Sequence, residues 1–291
     1  MTESALELLV DARATLGEGP CWDETNKRLY WVDIIEKKLH CYSPAKQTNE
    51  TFVFEESPGA VAVRKSGGVV LAMKQGFYAV DQARVTLLAH VDQEPRLNRF
   101  NDGKCDRMGR FWAGTMPLEG SDPTGSLYCL DTDLQVRHLF GEVACSNGLA
   151  WSPDDTTMYY IDSPTKQVVA FDYDRGSGAI TRKRTVVTIP DGEGVPDGMT
   201  IDAEGMLWVA QWDGCRVSRW NPRTGNRIDA ISLPAARVTS CAFGGDRLDE
   251  LYITTARSGL DEKALSEQPQ AGGLFRVKVG VRGTLSHPFM G

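Results

Sequence analysis

The 291-residue chain has no Cys-x-x-Cys pair, no Gly-x-Ser-x-Gly elbow, no His-Glu-x-x-His, and no glycine-rich phosphate loop ending in Gly-Lys-Ser/Thr. These absences remove thiol-redox, serine-nucleophile, zinc-protease and nucleotide-phosphate readings. Gly103-Lys104 occurs, but without the upstream glycine and with Cys105 following. Histidine is scarce: four residues, at 40, 90, 138 and 287, with no spacing that converges on a metal. No stretch approaches the roughly 18 apolar residues of a membrane span. Positive charge is short as well. A formal net charge of −7 excludes the basic footprint of a nucleic-acid binder. The N-terminus has no basic region followed by a long apolar stretch, so no signal peptide is expected. Seven cysteines, an odd number in strand-like apolar positions, read as reduced thiols of a cytoplasmic protein. Nothing calls for an obligatory protein partner.

What the chain does have is 29 glycines and a paragraph of sequence written six times. The copies begin GEGPCWDETNKRLYWVDI, GAVAVRKSGGVVLAM, NDGKCDRMGRFWAGTM, NGLAWSPDDTTMYYID, DGMTIDAEGMLWVAQW and TSCAFGGDRLDELYITTA. Each reads as a strand, a polar turn, a second strand, a loop and a third strand, on period-2 alternation broken by turn-forming residues. Further strand-like runs follow the first five copies: ETFVFEE, VTLLAHV, VRHLF, RTVVTI and RIDAISL. The sixth copy lacks such a run, while the N-terminus has a spare one, LELLVDARA. The expected fold is therefore all-β: a six-bladed β-propeller with four-stranded blades, closed by the N-terminal strand pairing in the C-terminal blade. Residues 1–291 form one domain with no linker. DEKALSEQ is the one candidate for a helical turn or two.

Aligning the copies on the last apolar residue of the first strand (Trp22, Val63, Cys105, Trp151, Ile201, Phe243) puts a definite set four residues earlier. That set is Glu18, Gly59, Asn101, Asn147, Asp197 and Thr239. In a propeller the first strand of each blade lines the axial channel, so the six positions ring one of its mouths. Two acids and two carboxamides converging there suit a hard cation such as Ca²⁺, Mg²⁺ or Mn²⁺. Zn²⁺ accepts carboxylate oxygen too, but the ring offers no His or Cys to favour it.

The segments GEGPCWD, RFNDGKCDRMGRFWAGTM, SNGLAWSPDDTTMYYIDS, PDGMTIDAEGMLWVA and TSCAFGG closely resemble the regucalcin (senescence marker protein)/gluconolactonase family, collinearly from about Glu18 to the C-terminus. The resemblance implies metal-dependent hydrolysis of sugar-acid lactones, with a small-molecule substrate and one divalent ion. Calcium comes first, and zinc, magnesium and manganese are admissible. It implies Glu18, Asn147 and Asp197 as metal ligands and Asp197 as candidate general base. Arg99 and Asn101 would bind substrate, Asn101 alternatively reaching the metal through water. Glu119, in a candidate lid at 118–126, and Trp212 would be further substrate contacts. The lid is shorter here than in animal members of the family. Two residues carry structural alternatives: an ion pair of Arg99 with Glu94 or Asp102, and packing of Trp212 between blades. Other readings of the whole chain are a calcium-binding regulator and a related organophosphate or ester hydrolase.

Overall fold

A computed structural model describes residues 5–81, 84–92, 94–95 and 97–291. The first four residues, part of the segment in which no signal peptide is expected, lie outside the described residues. Among the described residues the strands form six four-stranded antiparallel sheets. Within blades 1 to 5 the strands follow one another outward in chain order. Blade 1, for example, runs Gly17–Asp23, Arg28–Asp33, Lys38–Ser43, Thr48–Val53. Burial falls outward: Arg28–Asp33 is almost wholly buried, whereas Thr48–Val53 is almost wholly exposed. This gradient is why the inner strands are rich in Trp, Val, Leu and Ala and the outer ones in charge.

Blade 6 combines Val238–Gly244, Glu250–Thr255 and Leu274–Lys278 with the N-terminal strand Glu7–Val10. Leu8 lies opposite Phe275, and Arg276 pairs with Glu7 at 2.6 Å. The ring is thus closed between the two ends of the chain, as the spare N-terminal run implied. A short helix, Glu262–Glu267, is capped by Asp261, whose side chain accepts from the Ala264 N–H at 2.8 Å. No helix among the described residues is long and apolar enough to cross a membrane.

Blades are joined by aromatic-rich clusters. Trp112, Leu127, Leu149, Trp151, Met158 and Tyr160 fill the space between blades 3 and 4. Two acids in the polar turns have structural duties. Buried Asp106 and Asp202 accept turn N–H groups and also the indole N–H of Trp112 (2.8 Å) and Trp208 (2.9 Å). Each turn is thereby tied to the next strand.

The innermost strands are Gly17–Asp23, Pro58–Val63, Asn98–Cys105, Ser146–Trp151, Val195–Ile201 and Val238–Gly244. Every one of them breaks register with its neighbour at the same phase of the repeat. The breaks fall between Glu18 and Cys21, Pro58 and Ala60, Phe100 and Asp102, Asn147 and Leu149, Pro196 and Met199, and Val238 and Ser240. Each inserts one extra residue, a β-bulge, which bends the strand and re-aims the side chains beside it. At blade 2 the bulged residue is Gly59. A Cβ there would lie 2.2 Å from the Phe100 carbonyl oxygen, so the close approach of blades 2 and 3 requires glycine.

After its last strand the chain crosses the far mouth of the channel. Gly283 N–H donates to Leu248 O (2.7 Å), Ala203 N–H to Arg282 O (2.8 Å), and Phe289 N–H to Val63 O (2.8 Å). The tail thus visits blades 6 and 5 and ends at blades 2 and 3, where Phe289 is fully buried. Phe289→Ala is expected to destabilise the protein by about 3–5 kcal/mol, as for a core phenylalanine, and to lower its melting temperature by roughly 10 °C. Thermal unfolding followed by circular dichroism checks this; a melting point unchanged from wild type would mean that the tail is loosely attached.

Candidate functional site

The bulges carry Glu18, Asn101, Asn147, Asp197 and Thr239 to one mouth of the channel, and all five are at most 5 % exposed. Glycine follows Glu18, Asp102, Asn147 and Asp197, and after each of the three acids its N–H supports the carboxylate. Gly19 donates to Glu18 at 2.9 Å and Gly103 to Asp102 at 2.7 Å, while the Gly198 N–H steadies Asp197.

Hydrogen bonds link the ring from blade to blade. The Asn101 amide Nδ2 donates to Ser146 O of blade 4 at 2.8 Å. The Asn147 Nδ2 donates to Ser163 Oγ at 2.8 Å, and that hydroxyl donates to Pro196 O of blade 5 at 2.7 Å. The Thr239 hydroxyl donates to Gly17 O of blade 1 at 2.5 Å. Thr239, unremarkable as a metal ligand, is therefore a seam between the last blade and the first.

The two carboxamides, alike in sequence, differ in what they leave free. The Asn101 Oδ1 accepts from Arg99 Nη1 at 2.6 Å, so both halves of its amide are engaged. The Asn147 Oδ1 is buried and, among the described residues, accepts from nothing. A buried unpartnered carbonyl costs free energy unless a donor or cation meets it.

The acids are in the same position. Burial pushes the Glu18 carboxyl well above its usual range, and the charges of Asp197 and Asp102 add to this. Asp197 is likewise raised, by burial first and by Asp102 next; Arg99 and Asn147 oppose the shift only in part. Burial also raises Asp102, to about 6. Two like-charged carboxylates and an orphan amide oxygen fit a hard cation, which would satisfy all three. Among the described residues no three His, Cys, Asp or Glu side chains gather closely enough to hold an ion by themselves. The Asn147 oxygen is thus needed to complete a donor set.

The other sequence-derived residues are placed as follows. Arg99 is half-buried, bonded to Asn101 and to Phe100 O (3.0 Å). Glu94 instead accepts from Asn98 and Tyr128, at 2.6 Å each. Glu119 is exposed on the loop after Phe111–Pro117; among the described residues its carboxylate makes no hydrogen bond or ion pair. Trp212 ends the strand Leu207–Trp212, half-buried, with the Arg237 guanidinium 4.8 Å from its ring centre.

Four residues at the site were given no site role by the sequence. Ser163 relays between blades. Asp102 adds a third buried charge. Lys104 donates across the channel to Met199 O at 2.6 Å. Cys145 sits with Sγ 3.6 Å from both the Asn147 Nδ2 and the Met116 Sδ, and burial pushes its thiol up to about 12. Asp102 and Lys104 had a signal, since charged residues on a channel-lining strand are out of place in a core. Ser163 and Cys145 had none.

A scan against family models matches residues 16–257 to the "SMP-30/Gluconolactonase/LRE-like region". A Bacillus subtilis protein named "Putative sugar lactone lactonase YvrE" is 43% identical over 98% of each chain. Rabbit (Oryctolagus cuniculus) regucalcin is 42% identical over 100% of each. A solved structure of a calcium-binding protein, regucalcin, from Agrobacterium tumefaciens superposes with a TM-score of 0.94 at 28% identity, covering 98% of this chain and 97% of the other.

The raised carboxyls fix a pH dependence. The fold binds these protons more tightly than the unfolded chain does. Metal-free stability therefore falls as pH rises from the ordinary values, 3.8 for Asp197 and 4.5 for Glu18, through the raised ones. Metal-stripped Asp197→Asn is expected to melt several degrees above stripped wild type at pH 8, and the gap is expected to close at pH 4. Melting curves at both pH values in chelator test this; a variant less stable than wild type at pH 8 would contradict it.

Proposed function

Since the chain belongs to the SMP-30/gluconolactonase/LRE-like family, we propose that it hydrolyses sugar-acid lactones at the channel ring, with Glu18, Asn147 and Asp197 holding one divalent cation. The observation that carries this reading is the unpartnered Asn147 Oδ1 beside two buried, mutually repelling carboxylates. Calcium is the first ion, because every donor is a hard oxygen; a relative named as calcium-binding supports that choice. Zinc, magnesium and manganese are the other candidates.

When bound, the cation supplies Lewis-acid polarisation of the lactone carbonyl and a lower pKa for water. The chain's own residues do the rest. Asp197 takes a proton from the attacking water and returns it to the alkoxide released when the ring C–O bond breaks, leaving a hydroxy acid. A ligating carboxylate is less basic, so one Asp197 oxygen must remain free of the cation. Arg99 and Asn101 orient the substrate: their mutual hydrogen bond holds the guanidinium, leaving its other N–H groups for the sugar hydroxyls and carbonyl. Glu119 on the rim loop and Trp212 are further substrate contacts. The free cysteines fit a reducing compartment, the cytoplasm.

A pH-indicator assay on glucono-1,5-lactone tests the reading. Turnover is expected with added Ca²⁺, Zn²⁺, Mg²⁺ or Mn²⁺ and is expected to vanish in chelator. No acceleration over spontaneous opening with any of these ions would favour a calcium-binding regulator instead. Asp197→Asn is expected to lower kcat about 10²–10⁴-fold. If that variant kept its metal and hydrolysed at near the wild-type rate, Asp197 would not be the base.

A further inference from the structure

Below the ring the channel contains a cation of its own. Asp102 and Lys104 stand two residues apart on Asn98–Cys105, past the bulge, and so share a face of the strand. Among the described residues, Lys104 makes no side-chain hydrogen bond within its own blade or the next. Its Nζ spans the channel from blade 3 to the Met199 carbonyl of blade 5, 2.6 Å away and 95 residues distant in sequence. Met199 follows Asp197 by two residues on Val195–Ile201, so the ammonium is anchored to the strand that carries the proposed base. Burial weakens the ammonium and the Asp102 charge supports it, while the other ionisable neighbours acting on it are the thiols of Cys21 and Cys241. A lysine in such a place is costly unless its charge is used.

Three carboxylates act on one another here: Asp102 raises both Glu18 and Asp197. Asp102 is not among the proposed ligands; it contributes field only. The positive charge of Lys104, two residues further along the same strand and acting on Asp102, subtracts from that field. The energy of this subtraction grows in proportion to the charge of whatever ion occupies the ring.

We propose that Lys104 is a specificity-determining residue of the ring, a fixed counter-charge to Asp102 that holds the site to divalent ions and against ions of higher charge. This rests on the metal-site reading above. The hydrogen bond to Met199 positions the charge, and the charge sets the selection. A lysine that served only as a strut would leave selectivity between ions untouched, because a strut acts alike on every ion.

Terbium and calcium, similar in size and different in charge, are the probes. Dissociation constants are measured for Ca²⁺ by calorimetry and for Tb³⁺ by luminescence, and the ratio Kd(Ca²⁺)/Kd(Tb³⁺) is the readout. Lys104→Met is expected to raise that ratio about tenfold. Lys104→Arg, which keeps the charge, and Asp102→Asn/Lys104→Met, which removes both charges, are expected to stay near wild type. Asp102→Asn alone is expected to lower the ratio, which keeps the test available should Lys104→Met fail to fold. A ratio unmoved by Lys104→Met or by Asp102→Asn, in protein that still binds Ca²⁺, overturns the role of Lys104 alone. Wild-type protein that binds neither ion overturns the metal-site reading and this one with it.

Discussion

Three carboxylates held in one narrow channel repel each other, and the fold keeps them there against that repulsion. Glu18, Asp102 and Asp197 are each raised by burial, and Asp102 raises the other two further. Folding alone does not relieve this strain. What relieves it within the chain is positive charge: Arg99 acts on Glu18 and Asp197, and Lys104 on Asp102. The glycine N–H groups that follow the acids are minor reliefs built into the backbone. A site of this kind is destabilising when empty of charge partners, and the rest of the propeller must be stable enough to hold it.

The device that gathers the acids is the bulge repeated in all six innermost strands. A regular strand would alternate its side chains between the two faces of its blade. One extra residue at one phase re-aims the side chains there, and it does so in every blade at the same height. The side chains that then meet are fastened by bonds running around the ring: Asn101 to Ser146, Asn147 through Ser163 to Pro196, Thr239 to Gly17. Blade-to-blade fastening and site geometry are therefore the same set of contacts. A change made for one is felt by the other.

The repeat and its phase were legible because they rest on local chemistry. Alternating apolar residues, turn acids and glycines recur in each copy, and counting back from the last apolar residue found every ring position. The bulge was not legible, since one additional residue in a strand leaves no local mark beyond a glycine that turns also use. Asn101 and Asn147 looked equivalent. Their difference depends on Arg99 filling one oxygen and, among the described residues, nothing filling the other. Lys104 and Ser163 act on blade 5 from elsewhere, and that partnership exists only once the blades have closed. The Arg237 that lies over Trp212 comes from the following blade, so the surroundings of that tryptophan were equally hidden.

Closure itself has a consequence for how the chain is made. Glu7 and Arg276 are 269 residues apart and meet across the final sheet. Contacts of such sequence separation are slow to form. While the ribosome is still extending the chain, Leu8 and its neighbours have no strand to join, because Leu274–Lys278 has not emerged. Five finished blades would then stand as an open arc, with an unpaired N-terminal strand and a bare apolar flank. Such a species invites pairing with another nascent chain. Ring closure therefore waits for the last blade, and until then the open edges are the chain's main hazard.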